Sequence, residues 1–389
     1  MLKIMFSAGE ASGDLHGAGL AAALKKQHPD LEMAGFGGPK MKAAGVRLCH
    51  DFREYSVMGF WEVLKNLRRL FQLRDELVRF MQQEKPDLLV LIDYPDFNWR
   101  LAKKARALGI PVFSYIPPSA WAWRKGRARD CAKIADEFVA IFPFELPPYE
   151  AAGARISFLG NPLVDAVQPE LQEAEAREFF GITPRMRPVL LLPGSRKQEI
   201  ELLLPVMLQA ASRLKDDDPR VEFFLPVAAG IEADILERMA AEAGVCLHLV
   251  MEHTYDLMRL SVVAIATSGT VVMEAALCGL PCIVLYRMSL LTYWIGRMLV
   301  QVDNFSLPNI LLGERIQPEL LQDQVNPDRI VRETQQFLQQ DDYRAQVAGK
   351  LADACHMLGE PGAAGRVADR IWQAAVENHE KRKTIGGKR

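Results

Sequence analysis

The sequence lacks several features that would define a class of protein at once. It contains only six cysteines in 389 residues, and no two of them form a C-x-x-C pair. No cluster of histidines accompanies them, so neither a zinc site nor a disulfide framework is expected. We therefore predict reduced cysteines in a cytoplasmic protein, with no bound metal and no cofactor.

Long apolar runs are also missing. A membrane-spanning helix needs about 18 or more consecutive apolar residues. The longest candidate, residues 286–302, is interrupted by Arg287 and Arg297. Residues 1–6 become polar too soon for a secretory signal peptide. We expect a chain that does not span a membrane.

The chain has no excess of charge of either sign. Its 47 lysines and arginines and 49 aspartates and glutamates leave a net charge of −2, so the overall balance points to no nucleic-acid partner. An apolar content of 49% and a charged content of 25% are ordinary for a globular protein. Because 389 residues exceed what one core usually holds, we expect two domains.

Two series of alternating strands and helices predict an α/β protein with two parallel sheets. We expect strands at 2–7, 33–36, 88–92, 112–116 and 137–142, then at 189–192, 221–226, 247–250, 263–266 and 282–286. The chain beyond Asn309 reads as helical. The inferred architecture is two Rossmann-like doubly wound domains facing a cleft, with ligands at the carboxyl ends of the strands.

The predicted domain limits follow from this pattern. The first domain covers residues 1–165 and the second 187–345. C-terminal helices at 346–378 are free to return to the first domain, and a basic, disordered tail follows at 379–389. The turn after the first strand does not have the G-x-G-x-x-G spacing, so a dinucleotide fingerprint is absent.

Two turns of the second domain are candidate phosphate sites. Ser268, Gly269 and Thr270 link a strand to a helix, where backbone N–H groups, hydroxyls and the helix dipole favour an anion. Glu274, one helical turn further, can accept hydrogen bonds from a ribose diol. At the other turn, Arg196 can bind diphosphate oxygens. The alternatives are that Thr270 only caps a helix and that Arg196 lies on the surface.

Asp93 is the candidate general base. It directly follows the predicted strand 88–92, and Asp96 is better placed to cap the next helix, which leaves Asp93 to face the ligand. Glu10, in the turn after the first strand, is a weaker catalytic candidate. A purely structural role for Asp93 remains the alternative.

Two stretches of the first domain combine bulky apolar and basic residues. Such stretches bind anionic lipid surfaces, since each cation near the surface contributes about 1 kcal/mol. The alternative is a helix that packs into the core and exposes its charges. The candidate lipid- and acceptor-binding residues are Met58, Phe60, Trp61, Arg68, Arg69, Trp121, Trp123 and Arg124.

Seven segments, taken in order, resemble those of the bacterial lipid-A-disaccharide synthases. They are AGEASGD at 8–14, VMG at 57–59, IDYPDFN at 92–98, PSAWAWR at 118–124, LPGSR at 192–196, SGT at 268–270 and SLPN at 306–309. The resemblance implies an inverting glycosyltransferase of the GT-B fold. Its reaction joins UDP-2,3-diacylglucosamine to the 6-hydroxyl of 2,3-diacylglucosamine 1-phosphate (lipid X), which yields tetraacyl disaccharide 1-phosphate and UDP.

The resemblance also implies roles for residues. It makes Asp93 the base and places Arg196, Ser268, Gly269, Thr270, Glu274 and Asn309 in the nucleotide and active-site region. It implies a peripheral enzyme on the cytoplasmic face of the inner membrane, and a homodimer is left open. A UDP-sugar epimerase of the same fold is the alternative; it would use the same nucleotide turns without needing the apolar and basic stretches.

Overall fold

The computed structural model describes residues 2–55, 60–120, 127–228, 230–288 and 303–386, with the side chains of 60–67 and 382–386 left out. The chain forms two compact units. The first holds Met1–Pro162 and Gly359–Arg389, and the second holds Leu163–Leu358. Several candidate lipid-facing residues lie outside the described residues, namely Met58, Trp121, Trp123, Arg124 and the side chains of Phe60 and Trp61.

Both units are built on parallel sheets. The strands of the first are β1 (Lys3–Ala8), β2 (Glu32–Gly37), β3 (Arg47–Asp51), β4 (Leu88–Ile92), β5 (Val112–Tyr115), β6 (Glu137–Ala140) and β7 (Ile156–Phe158). Those of the second are β8 (Arg187–Leu192), β9 (Val221–Pro226), β10 (Leu247–Val250), β11 (Val263–Thr267), β12 (Cys282–Tyr286) and β13 (Glu319–Leu321).

Helices lie between the strands. They are α1 (Ala11–Gln27), α2 (Pro39–Ala43), α3 (Phe60–Glu84), α4 (Pro95–Ala107), α5 (Arg127–Cys131), α6 (Leu146–Ala151), α7 (Leu163–Ala166), α8 (Glu173–Phe179), α9 (Lys197–Asp217), α10 (Ala233–Glu242), α11 (Thr254–Leu260), α12 (Thr270–Leu277), α13 (Leu307–Leu312), α14 (Pro327–Gln339), α15 (Asp341–His356) and α16 (Ala363–Gly386). No helix in these ranges is long and apolar enough to cross a bilayer.

The sheet of the first unit has the order β3-β2-β1-β4-β5-β6-β7. Successive side chains of a strand point to opposite faces, so a strand covered on both faces reads as a continuous apolar run. On β1, Ile4 and Phe6 pack with residues of α1 and α16, whereas Met5 packs with residues of α3 and α4. Helices therefore cover both faces of the sheet, as the sequence predicted.

The sheet of the second unit has the order β10-β9-β8-β11-β12-β13. Its central strands, β8 and β11, are parallel neighbours and almost entirely buried. The carboxyl ends of these two strands lie side by side, which brings the turns after them together. Two Rossmann-like parallel-sheet units confirm the predicted fold class.

Three strands were missed by the sequence analysis. They are β3, β7 and β13, and each forms an edge of its sheet. The expectation that the chain is helical beyond Asn309 was wrong at β13, which pairs with β12. Edge strands are short and covered on fewer sides, so their sequences lack the apolar runs of central strands.

The predicted disordered tail needs a correction. From His379 to Gly386 the chain continues α16. Val367 and Ile371 anchor this helix in the core of the first unit. Further along, His379 Nδ1 lies 2.9 Å from Oδ1 of Asp87. These contacts hold a segment whose polar composition suggested disorder. They join α16 to the first unit, whereas α15 belongs to the second.

Candidate active site

In the first unit, the turn after β4 has an unusual backbone. Asp93 and Tyr94 both lie in the left-handed region, with φ of 48° and 52°. Helix α4 begins at Pro95, a residue favoured at the first helical position because its φ is already helical. The expectation that Asp96 caps this helix was therefore wrong: Tyr94 is the N-cap residue and Asp96 lies in the first turn.

Asp93 sits half-buried at this turn, and its N–H donates to the carbonyl of Tyr115 at 3.2 Å. Burial raises the pKa of its carboxyl group, and a hydrogen bond from the backbone of Tyr94 lowers it in part. A carboxylate that takes up a proton more readily than usual is better suited to accept one from a hydroxyl near neutral pH.

Glu10, the other predicted catalytic residue, is brought next to the same turn. With Phe71, Arg74, Tyr94 and Arg100 it lines an apolar recess of about 300 Å³. The preceding residue must be glycine, because a Cβ at Gly9 would lie 2.2 Å from the ring of Tyr94. The turn after β1, which contains Gly9 and Glu10 and is called the glycine turn below, therefore packs against the turn after β4, which contains Asp93.

Glu145 is a carboxyl group that the sequence analysis missed. It is 5% exposed, and its Oε2 accepts hydrogen bonds from the N–H groups of Ile141 and Phe142 at 3.2 and 3.1 Å. Burial raises its pKa to about 7, and the charge of Asp93 adds to this shift. A single carboxylate among apolar residues after a strand was the only signal available in the sequence.

The second unit contains a pocket of about 420 Å³ at the ends of β8 and β11. The turns that follow these strands form two of its sides. Its polar lining consists of Ser195, Arg196, Glu199, Thr254, Thr267, Ser268, Thr270 and Glu274. All the predicted nucleotide-binding residues except Asn309 therefore lie on this one pocket.

The turn after β8 is shaped by Gly194 and Glu199. Gly194 has a φ of +120°, and a Cβ there would lie 2.3 Å from Oε2 of Glu199. Arg196 Nη1 lies 3.1 Å from Oε1 of Glu199, while 79% of the Arg196 side chain is exposed. The guanidinium group is thus near the pocket and open to solvent, with one carboxylate holding it.

The turn after β11 presents polar groups and the start of α12. Ser268 donates its Oγ–H to the carbonyl of Phe305 at 3.1 Å. A Cβ on Gly269 would meet nothing within 4 Å, so the space before this backbone is open to a ligand. Thr270 is the first residue of α12. Burial raises the pKa of Glu274, and a hydrogen bond with Tyr255 partly counters this shift.

Asn309, which was predicted to belong to the nucleotide and active-site region, does not line this pocket. Its side chain is fully buried, and Nδ2 donates to Gln317 O at 3.0 Å and to Oε1 of Glu319 at 2.9 Å. Its Oδ1 accepts from the N–H groups of Ile316 and Gln317. These four bonds occupy both donors and both acceptor positions of the amide.

Glu319 links Asn309 to the pocket, and the sequence analysis missed it because β13 itself was missed. Its buried carboxylate accepts hydrogen bonds from Phe305 N at 3.1 Å and Ser306 N at 2.8 Å. Since the carbonyl of Phe305 accepts from Ser268, the pair formed by Asn309 and Glu319 supports the turn after β11 from behind.

Among the described residues, no group of three or more histidine, cysteine, aspartate or glutamate side chains is placed to hold a metal ion.

Solved structures of similar fold include a UDP-GlcNAc 2-epimerase and a glycosyltransferase. The S. aureus MnaA-UDP co-structure matches with a TM-score of 0.67 at 14% identity, covering 95% of this chain and 96% of that one. The calicheamicin glycosyltransferase CalG4 matches with a TM-score of 0.63 at 14% identity, covering 96% and 98%. The fold is that of the GT-B glycosyltransferases and the related epimerases.

Sequence comparison narrows this class. Residues 4–362 match the family described as lipid-A-disaccharide synthetase. Lipid-A-disaccharide synthase from Syntrophus aciditrophicus (strain SB) is 44% identical, covering 94% of this chain and 96% of that protein. The enzyme of that name from Geobacter sulfurreducens is 41% identical, covering 95% and 97%. The chain belongs to the lipid-A-disaccharide synthase family, glycosyltransferases of lipid A biosynthesis.

Proposed function

We propose that this enzyme transfers 2,3-diacylglucosamine from UDP to the 6-hydroxyl of 2,3-diacylglucosamine 1-phosphate, with inversion at the anomeric carbon. Asp93 accepts the hydroxyl proton while the hydroxyl oxygen bonds to the anomeric carbon. The bond from that carbon to the diphosphate breaks, and UDP leaves with the electron pair. The products are tetraacyl disaccharide 1-phosphate and UDP.

The observation that carries this proposal is the pocket at the ends of β8 and β11. It combines the N-termini of α9 and α12 with Arg196, which together suit a diphosphate. Glu274 lies one helical turn from Thr270 on the lining of the same pocket, where its carboxylate can accept hydrogen bonds from a ribose diol. The S. aureus protein of the same fold was solved with UDP, and an epimerase from Neisseria meningitidis with UDP-GlcNAc.

Support for the base comes from the first unit. Asp93 stands at the carboxyl end of a central strand, and burial raises the pKa of its side chain. The helix dipoles and Arg196 stabilise the departing diphosphate, so the proposed reaction needs no metal ion.

A product assay tests the proposed reaction. Purified enzyme is given UDP-2,3-diacylglucosamine and lipid X, and mass spectrometry and NMR follow the products. We expect tetraacyl disaccharide 1-phosphate with a β-linkage and one UDP per disaccharide. Conversion of the UDP-sugar into its 2-epimer without lipid X would instead support the epimerase alternative. That alternative is compatible with the fold, because a UDP-GlcNAc 2-epimerase has a similar structure.

We expect Arg196→Ala to weaken UDP binding about 10- to 100-fold, the effect of losing a charge-assisted hydrogen bond to the diphosphate. Isothermal titration calorimetry measures the Kd. Lys197→Ala is the matched control, since it removes a neighbouring cation that does not line the pocket. An unchanged Kd for Arg196→Ala would place this residue outside the UDP site.

We also propose that α3 contributes to binding the surface of an anionic bilayer. Arg68 and Arg69 are exposed on this helix, and Phe71 is partly exposed beside them. The electrostatic part of such binding is screened beyond about 8 Å at physiological ionic strength, so it should weaken as salt is added.

Replacing Arg68 and Arg69 by serine should weaken binding to anionic vesicles roughly ten- to thirty-fold at low salt, since each cation contributes about 1 kcal/mol near the surface. Activity on vesicle-presented substrate should fall with it, and activity on detergent-dispersed substrate much less. Vesicle sedimentation gives the partition coefficient. A variant with serine at Lys103 and Lys104, two exposed cations of α4, is the control. Equal losses in both substrate formats would exclude a docking role.

A further inference from the structure

The turn that carries Asp93 holds an unfavourable backbone. Two consecutive residues other than glycine, Asp93 and Tyr94, adopt positive φ values of 48° and 52°. Each such residue costs about 1–2 kcal/mol, so this conformation persists only where surrounding contacts impose it. The contacts of this turn therefore show which residues fix the direction of the Asp93 side chain.

Asn98 makes the closest of these contacts. It lies on α4, is 3% exposed, and donates from Nδ2 to the carbonyl oxygen of Asp93 at 2.7 Å. Longer contacts of the same nitrogen reach Ser7 O at 3.3 Å and Ile92 O at 3.4 Å. The amide thus binds the backbone of the candidate base itself.

Ser7 fixes Asn98 in turn. It is fully buried on β1, and its Oγ–H donates to Oδ1 of Asn98 at 2.6 Å. Because this bond occupies the amide oxygen, it sets the amide orientation and leaves Nδ2 facing the Asp93 carbonyl. Strand β1 pairs directly with β4, with Ser7 opposite Leu91, so the pair joins the turn to the centre of the sheet.

A second contact acts on the other side of the turn. The ring of Tyr94 lies against Gly9, where even a Cβ would clash. Glu10 and Tyr94 line the same recess, and burial together with the negative charge of Glu10 raises the pKa of Tyr94. The Asp93 turn is therefore held by Asn98 of α4, which Ser7 of β1 orients, and by the packing of Tyr94 against Gly9.

We propose that Ser7 and Asn98 are positioning residues for Asp93: their hydrogen-bonded pair holds the Asp93 carbonyl and so keeps the left-handed turn that aims the carboxylate. This inference rests on the proposed role of Asp93 as base. Without the Asn98 amide, the Asp93 carbonyl loses its donor and the turn can relax towards a right-handed conformation. A displacement of about 1 Å in a catalytic group can cost on the order of 10²-fold in rate.

Asn98→Ala tests the pair. We expect steady-state kinetics to show a roughly 10- to 100-fold fall in kcat with KM little changed. The kcat is calculated per folded protein, and circular dichroism and size-exclusion chromatography give the folded fraction. Ser7→Ala should lower kcat by a smaller factor. This variant also tests the pair if Asn98→Ala folds poorly. Thr334→Ala, which removes another fully buried donor, in the second unit, is the matched control and should leave kcat unchanged.

The pH profile separates positioning from simple support of the fold. Asn98→Asp keeps the side-chain shape but replaces the donating amide by a carboxyl group beside Asp93. Its charge should move the acidic limb of the kcat/KM profile to higher pH, because like charges disfavour ionisation of the base. An unmoved limb would argue against direct action on Asp93.

A double-variant cycle completes the test. Once Asp93→Asn has removed the base, adding Asn98→Ala should cause little further loss, since both changes act on one group. Losses that multiply, or an Asn98→Ala enzyme with kcat within about twofold of the parent, would overturn the positioning role. Near-normal turnover of Asp93→Asn alone would instead reject Asp93 as base, so the two failures are distinguishable.

Discussion

Asp93→Asn should lower kcat by at least about 10²-fold while the Kd for UDP stays nearly unchanged. The amide has almost the same shape, but it cannot accept the proton of the attacking hydroxyl, and a positioned general base contributes 10²- to 10⁴-fold. The pocket at β8 and β11 belongs to the other unit, so nucleotide binding should be little affected. Steady-state kinetics with both diacylated sugars and calorimetry with UDP provide the two measurements.

The pH dependence gives an independent check. Burial raises the pKa of Asp93, so the base becomes protonated at a higher pH than an ordinary aspartate. The parent enzyme should therefore lose kcat/KM as pH falls through this raised pKa, and Asp93→Asn should lack that limb. Asp96→Asn, a change at an exposed neighbour in the first turn of α4, is the control and should keep both rate and profile. Substantial turnover by Asp93→Asn would make Glu10 and Glu145 the next candidates for the general base.

Glu319→Ala should lower the unfolding free energy of the second unit by roughly 3 kcal/mol or more. The change removes the acceptor of the N–H groups of Phe305 and Ser306 and one of the two acceptors of the Asn309 amide nitrogen, and each buried unsatisfied group costs about 1–3 kcal/mol. Hydrogen exchange at amides of β8 and β11 reports this free energy.

The same variant should also weaken UDP binding, because Phe305 positions the hydroxyl of Ser268. Glu319→Gln keeps one carbonyl acceptor and should lose less stability than Glu319→Ala. Glu314→Ala removes an exposed carboxylate nearby in sequence and should change stability little. Equal, small effects from all three variants would show that the buried carboxylate does not support the turn.

The central strands and the pocket could be predicted from the sequence because both depend on local sequence patterns. β4, β8 and β11 are apolar runs followed by turn residues, and the carboxyl ends of neighbouring parallel strands must meet at one edge. That rule alone brought Arg196 and Ser268 to the same pocket. Three of the four edge strands of the two described sheets, β3, β7 and β13, were not predicted because three to five residues with polar members carry no such pattern.

Other features depend on contacts between distant residues. Nothing local in the sequence assigns positive φ to Asp93, since it results from Asn98, from Ser7 on another strand, and from Tyr94 packing on Gly9. The burial of Asn309 depends on β13, ten residues further on. The sequence favoured Asp96 as the helix cap because it contains no signal for a left-handed conformation at Tyr94, the residue before Pro95.

The return of α16 to the first unit has a consequence for the order of events during synthesis. The first 162 residues leave the ribosome early, yet Val367 and Ile371, which complete the core beside β1 and α1, are made about 200 residues later. The second unit, whose 196 residues are contiguous from Leu163 to Leu358, can finish folding before the first. A chain truncated after Leu358 and released from the ribosome should thus present a protease-resistant second unit and a protease-sensitive first one.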